Sequence, residues 1–410
     1  MAASRAVYAS NMRDFHNGAE QRERYDTATA KFSPPVAIVD LDAFDANGRS
    51  MRERARSLPV RVASKSLRCR ALLERALRGA GYAGILAFSL EEALWLVEQG
   101  TVDDAVIGYP TADRAALAVL AGNERAASAV TLMIDDVAQL DLVDAIAPPS
   151  TRPSIRVCID LDASWKVLGT HLGPLRSPVH APIDAVRLAK KVLARKGFHL
   201  VGLMSYEGQI AGLGPKGAAV PALIRLAQRR SFAELRRRRT KAVAAVRAVA
   251  DLEFVNAGGT GSLELTASDP SVTELTAGSG FYAPALFDDY DNFTLQPAAA
   301  FALSVVRRAA PTTVTLHGGG WVASGAAGRS RLPRPWLPAG LKLADMEGAG
   351  EVQTPVTGEA ARHLDIGDRV WFRHAKAGEL CERVNHLHLI AGDSVVDTVP
   401  TYRGEGKAFL

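Results

Sequence analysis

In the stretch RVASKSLRCRALL (61–73), a strand-like alternation of apolar residues runs up to Lys65 and a helix-like pattern follows at once. A lysine held on rigid backbone and partly desolvated can lose its proton and form a Schiff base with an aldehyde. Its plainer use is to snorkel into solvent. A second constellation, NAGGTGSLEL (256–265), gathers Asn256, Gly258, Gly259, Thr260, Gly261 and Ser262 into one turn. The glycines leave backbone N–H groups unobstructed and the hydroxyls of Thr260 and Ser262 add donors, a combination that can cradle a phosphate. No G-K-[ST] follows, so this is not a nucleotide P-loop. The plainer reading is a flexible glycine turn. A lysine and a phosphate cradle suit the two ends of pyridoxal phosphate.

Two tyrosines could serve the same chemistry. Tyr206 closes the apolar run LVGLMSY (200–206) and could contact a cofactor ring or a substrate, or simply sit on a rim. Tyr282, in GSGFYAPALFDDYDN, is a similar candidate. Farther on, WFRHAKAGELCERVNHLHL (371–389) bunches His374, Glu379, Cys381, His386 and His388. Nitrogen, carboxylate and thiolate groups at short spacing could hold a divalent metal such as zinc or manganese. Alternatively, His386 and His388 share one face of a strand and Cys381 is a small buried hydrophobe.

The elements that must position these groups follow a rhythm. Between residues 60 and 280, short β-branched runs alternate with longer amphipathic ones. The strand-like runs are VRVAS (60–64), GILAFS (84–89), DAVIGYP (104–110), VTLMID (130–135), IRVCIDL (155–161), LVGLMSY (200–206), LEFVNAGG (252–259) and VTELTAG (272–278). Helix signals fill the intervals; Ser89 and Glu92 have capping-box spacing and Gly100 is placed to end that helix. Eight strands alternating with helices fit a (β/α)8 TIM-type barrel better than an open doubly wound sheet. In such a barrel the strand ends line the active site, and Lys65, Tyr206 and the glycine turn all stand at strand ends. After residue 295 the runs are strand-like, broken by Gly, Pro and Asp, which indicates a smaller all-β C-terminal domain. The resulting division is an N-terminal segment 1–34, a cofactor-binding barrel 35–294 and a β domain 295–410. PVAIVDLDAF (35–44) precedes the eight strands and could belong to either unit.

Composition excludes several classes. Hydrophobic residues make up 48% and charged residues 23% of the 410 residues, ordinary globular values. The net charge of +5 is dispersed, and no basic stripe alternates with aromatics, so nucleic acid is not the expected partner. The basic run RLAQRRSFAELRRRRTKA (225–242) reads as a solvated helix face. No apolar stretch approaches the length of a membrane span, and the N-terminus lacks an apolar signal core. Cys69, Cys158 and Cys381 are far apart and form no C-x-x-C pair, which favours a reduced, cytoplasmic setting.

With these residues in hand, the chain resembles the alanine-racemase-like (fold type III) pyridoxal phosphate enzymes, in particular the D-threonine aldolase and D-serine dehydratase branch. VASKSLRCRAL looks like that branch's lysine strand, NAGGTGSL like its phosphate loop and GDSVVDTVPTYRG like its closing strands. The resemblance implies Lys65 as the Schiff-base lysine, Gly258, Gly259, Thr260 and Ser262 around the phosphate, and Tyr206 beside the pyridine ring. It also implies a homodimer in which the β domain of one subunit covers the barrel of the other. Two positions depart from the pattern. The branch's metal pair is His-x-Cys or His-x-Asp, but His374 is followed at that spacing by Lys376, so Glu379 or Cys381 replaces the missing ligand or the metal is gone. The arginine expected beside the cofactor's phenolic oxygen has two nearby candidates, Lys166 and Arg176, of which Arg176 is favoured.

The expected activity is that of a lyase on a small β-hydroxy amino acid of D configuration, by aldol cleavage or by dehydration. A racemase, with Tyr282 as the second acid–base group, is the alternative. A non-catalytic cofactor carrier is a third reading, weakened by the extra β domain.

Overall fold

The computed structural model describes residues 18–167, 169–211, 221–290 and 292–410. They form two units. One comprises residues 48–280, 289–294 and 409–410; the other comprises the residues up to 47, 281–288 and 295–408.

The first unit is a closed barrel of eight parallel strands. They are β1 (Val60–Ala63), β2 (Tyr82–Ala87), β3 (Ala105–Ile107), β4 (Val130–Ile134), β5 (Ile155–Asp160), β6 (Phe198–Ser205), β7 (Phe254–Ala257) and β8 (Glu274–Ala277). All eight runs read from the sequence are present, in order. Closure comes from β8 pairing with β1, Leu275 opposite Val60 and Ala277 opposite Val62. Five strands contribute one buried apolar cluster of Val106, Met133, Cys158, Val201, Met204 and Phe254. Arg61 of β1 is also buried, with its guanidinium 2.9 Å from Glu274 of β8 and 2.9 Å from Asp104. A buried cation is tolerated here because two carboxylates meet it.

Local signals explain the crossovers. Ser89 caps the helix Leu90–Glu98 by accepting the Glu92 N–H at 3.1 Å. The Glu92 carboxylate takes the Phe88 N–H rather than that of Ser89, so half of the expected box forms. Gly100 follows with φ +69°, a backbone state that costs glycine little.

The second unit is built on a nine-stranded sheet. Val36–Asp40 belongs to it, antiparallel to Ala299–Ala310 and parallel to His386–Ala391. That places PVAIVD outside the barrel sheet, although the sequence division grouped it with the barrel. Its burial on both faces is what made it read like a barrel strand. Tyr25, Val36, Ile38, Ala300, Ala302, Leu337, Trp371 and Ile390 make the core of this sheet. Residues 18–28 are helical and supply Tyr25 to that core. All three cysteines are buried, and none is in a disulfide. Among the described residues, no helix is long and apolar enough to cross a membrane.

Candidate active site

Lys65 lies in a short 3-10 turn, Ser64–Ser66, immediately after β1. The Ser64 hydroxyl anchors that turn on the Leu86 carbonyl at 3.2 Å. Gly278, just past β8, allows the close approach: a Cβ there would sit 2.6 Å from the Ala63 carbonyl oxygen. The fold thus fixes the lysine backbone while leaving the side chain exposed. Lys65 Nζ stands 2.9 Å from the hydroxyl of Tyr109, two residues beyond β3.

Arg176 joins this pair. Its guanidinium carbon lies 5.2 Å from the Tyr109 ring centroid and 4.8 Å from that of Tyr206, which follows β6. Lys166, the other candidate for that arginine's place, is instead tied to Asp162 at 3.1 Å. Burial pushes the Tyr109 phenol up, but Lys65 and Arg176 outweigh it and hold the phenol below its ordinary value. Asp160, the last residue of β5, is buried. Burial, partly offset by Arg176 and reinforced by Asp135 and Asp162, pushes its carboxyl up to about 7.

The turn after β7 has the features of an anion cradle. Gly258 adopts φ +90° and gives its N–H to Glu207 at 3.1 Å. Gly259 N–H bonds the Ser262 hydroxyl, and the Thr260 hydroxyl accepts the Gly280 N–H. The backbone N–H groups of Thr260 and Gly261, both buried, have no acceptor among the described residues. Buried N–H groups in that state call for an acceptor from outside the chain, and a phosphate provides one. Asn256 does not join them, because its amide nitrogen donates to Glu274 at 2.9 Å and its oxygen accepts from Thr276 at 3.0 Å.

Behind the turn is a buried network that sequence reading missed. Glu207 accepts from the Thr266 hydroxyl at 2.7 Å and pairs with Arg239 at 3.2 Å; Arg239 also meets Asp269 at 2.8 Å. Arg239 came from the basic run read as a solvated face, and most of that helix's arginines are exposed. The helix register turns Arg239 inward and lets its neighbour Arg238 reach the Asp162 and Ser164 carbonyls. Tyr109 and Asp160 were missed as well, although both stand at strand ends as Tyr206 does.

The expected metal residues lie in the second unit. His374 follows the strand Arg369–Arg373 and is sealed from solvent, and among the described residues neither ring nitrogen has a partner at hydrogen-bond geometry. Burial, then the Arg373 cation, lowers it to about 3, opposed weakly by the Ala299 backbone. Tyr282 is fully buried in the same unit, its ring edge-on to His374 at 6.1 Å and its hydroxyl 3.8 Å from Cys381 Sγ. Glu379 instead accepts the Ser324 N–H through both oxygens at 3.1 Å, and Lys376 reaches the Ser324 hydroxyl at 3.3 Å. His386 is exposed, and His388 stacks on Phe32. Among the described residues, no three His, Cys, Asp or Glu side chains are arranged to hold a metal. The donor set that includes His374, Glu379 and Cys381 therefore does not fit a metal as it stands.

The barrel is closed and parallel, with a lysine after its first strand and a glycine-rich turn after its seventh. The chain belongs to the family described as alanine racemase, N-terminal domain, whose model matches residues 39–283. Within that family, the chain is similar to the 3-hydroxy-D-aspartate aldolase of Paracoccus denitrificans. The two are 28% identical over 260 residues, which cover 61% of this chain and 60% of that protein's length. Among solved structures, D-threonine aldolase from Filomicrobium marinum superimposes with a TM-score of 0.76 at 21% identity, covering 91% of this chain and 95% of that one. D-threo-3-hydroxyaspartate dehydratase from Delftia sp. HT23 gives 0.69 at 19% identity, covering 90% and 97%. At these identities the structural likeness speaks to the fold.

Proposed function

We propose that this protein is a pyridoxal phosphate-dependent lyase that cleaves a small β-hydroxy amino acid of D configuration. The observation that carries the reading is the pairing of Lys65 at the end of β1 with the buried, acceptor-free N–H groups of Thr260 and Gly261 after β7. One end supplies the amine for an aldehyde and the other a seat for a phosphate. The names of the aldolase and dehydratase relatives supply the substrate class, and the aldolase with the higher sequence identity favours aldol cleavage over dehydration or racemisation.

When bound, the cofactor contributes an electron-withdrawing ring that makes a negative charge at Cα tolerable. The chain's residues do the rest. Lys65 would hold the aldehyde through its amine and, when that amine is free, would carry a proton at Nζ. Thr260, Gly261 and the hydroxyl of Ser262 hold the phosphate. Arg176 and Tyr206 border the ring, the cation favouring negative charge on the phenolic oxygen. The reading uses side chains of the barrel unit alone and gives the His374 group no chemical step. A cytoplasmic homodimer is the assembly and setting we assign.

The test is absorption spectroscopy of the purified protein with and without borohydride, alongside Lys65→Ala. A long-wavelength band, trapped covalently on Lys65 by reduction and missing from the variant, is the expected result. A wild-type protein that takes up no pyridoxal phosphate overturns the reading.

A further inference from the structure

Aldol cleavage needs a group that takes the proton of the β-hydroxyl as the Cα–Cβ bond opens. The barrel unit offers few. Glu207 is buried and committed to Arg239, Thr266 and Gly258. Asp160 is buried, and that burial raises its carboxyl to about 7, so only part of it is ionised near neutral pH. Tyr206 stacks on Arg176 without a hydrogen bond to Lys65 among the described residues. Tyr109 is different: its oxygen is 2.9 Å from Lys65 Nζ, with Arg176 beside the same ring.

We propose that Tyr109 is a catalytic residue, the proton partner of Lys65 and the group that accepts the substrate's β-hydroxyl proton. The proposal rests on the lyase reading above. The 2.9 Å contact lets a proton pass between the two groups, and, with Lys65 and Arg176 holding the phenol below its ordinary value, the reacting form is a Tyr109 phenolate paired with a Lys65 ammonium. The phenolate oxygen takes the β-hydroxyl proton, and the freed O–H electron pair becomes the second C–O bond of the departing aldehyde. The Cα–Cβ bond breaks and its pair stays on Cα. Cα then takes a proton from the Lys65 ammonium, and Tyr109 returns its own proton to Lys65. The cycle closes with no net proton gained or lost. The charged group facing this pair is Arg176, which in turn is within electrostatic reach of Asp160, as are Asp135 and Asp162.

Two measurements test the proposal. The first is an ultraviolet titration of the cofactor-free protein, which contains 8 tyrosines. One phenol is expected to ionise ahead of the rest. That step should vanish in Tyr109→Phe and move to higher pH in Lys65→Met. An early step that survives in Tyr109→Phe, or none in the wild type, overturns the pairing. The second is turnover of a D-β-hydroxy amino acid. Tyr109→Phe is expected to lose roughly 100- to 10,000-fold in kcat with little change in KM. Undiminished cleavage by Tyr109→Phe overturns the role of Tyr109 alone. A wild-type protein that traps the cofactor on Lys65 yet cleaves no β-hydroxy amino acid overturns the lyase reading and this role with it. If Tyr109→Phe does not fold, the wild-type and Lys65→Met titrations still decide the pairing.

Discussion

Each unit of the molecule hides a titratable group that burial pushes towards its neutral form, and the two have opposite fates as pH changes. In the barrel unit, Asp160 ends a strand with Arg176, Asp135 and Asp162 close enough to shift it, and burial raises it to about 7. In the β-rich unit, His374 is sealed beside Tyr282 and Cys381, and burial lowers it to about 3. The desolvation penalty is the same in kind, but the neighbourhoods differ. Asp160 stands among Arg176, Asp135 and Asp162, charges that can respond to a change in its own, and Arg176 also lies beside the Tyr109 that meets Lys65. Among the described residues His374 has no hydrogen-bond partner for either nitrogen, so charging it would leave a cation unsolvated. A buried ionisable group marks a reactive place when other ionisable groups share its field.

The comparison can be broken or sharpened by substitution. The largest expected effect is that of Lys65→Ala, a loss on the order of 10,000-fold or more in turnover, with the fold retained because the side chain is exposed. Circular dichroism alongside the assay separates lost chemistry from lost structure. Next comes Arg239→Met, which strands Glu207 and Asp269 as buried charges and should cost about 3–5 kcal/mol by denaturant unfolding. A change below about 1 kcal/mol would mean the network behind the phosphate turn is not the support it is described as being.

The two pH responses come next and have opposite signs. For Asp160 the folded value is raised, so the folded chain holds a proton that the unfolded chain releases. Its contribution to stability is present below 3.8 and is lost as pH rises towards about 7. Asp160→Asn should flatten that slope. For His374 the folded value is depressed, so its contribution is present above 6.5 and is lost as pH falls towards about 3. His374→Phe should remove part of the acid destabilisation and leave stability at pH 7 nearly unchanged. Thermal melts across pH 4–8 read both, and an unchanged acid limb in His374→Phe would remove His374 from the account. The smallest effect is expected of Tyr206→Phe, which keeps the ring on Arg176 and should change kcat by only a few fold.

Much of the barrel was legible in the chain because its signals are local. Eight β-branched runs, each bounded by polar or glycine punctuation, declare parallel strands without any knowledge of their partners. The strand left open between the two units, Val36–Asp40, is instructive. A strand buried on both faces looks alike in a barrel and in the middle of a mixed sheet, and only its hydrogen-bond partners distinguish the two. Lys65 and the 258–262 turn could be singled out because each combines an unusual residue choice with a strand end. Tyr109 carries no such mark; a tyrosine beside a proline in GYP is ordinary, and its importance arises when β1 and β3 bring two distant residues to 2.9 Å. Likewise, the spacing of His374, Glu379 and Cys381 suggested one ligand set. The chain instead turns Glu379 onto a Ser324 amide and leaves His374 to pack against Tyr282.

By itself, then, the sequence determined the strand–helix rhythm, the lysine at a strand end and the glycine turn that can receive an anion. These follow from propensity, periodicity and the missing Cβ of glycine, all properties of neighbouring residues. The tertiary structure alone decided which of many tyrosines meets the lysine, which of many arginines is buried behind the turn and which way two hidden acid–base groups are pushed. Those outcomes depend on distance, desolvation and the sum of charges from residues far apart in the chain, which become neighbours only when the barrel closes.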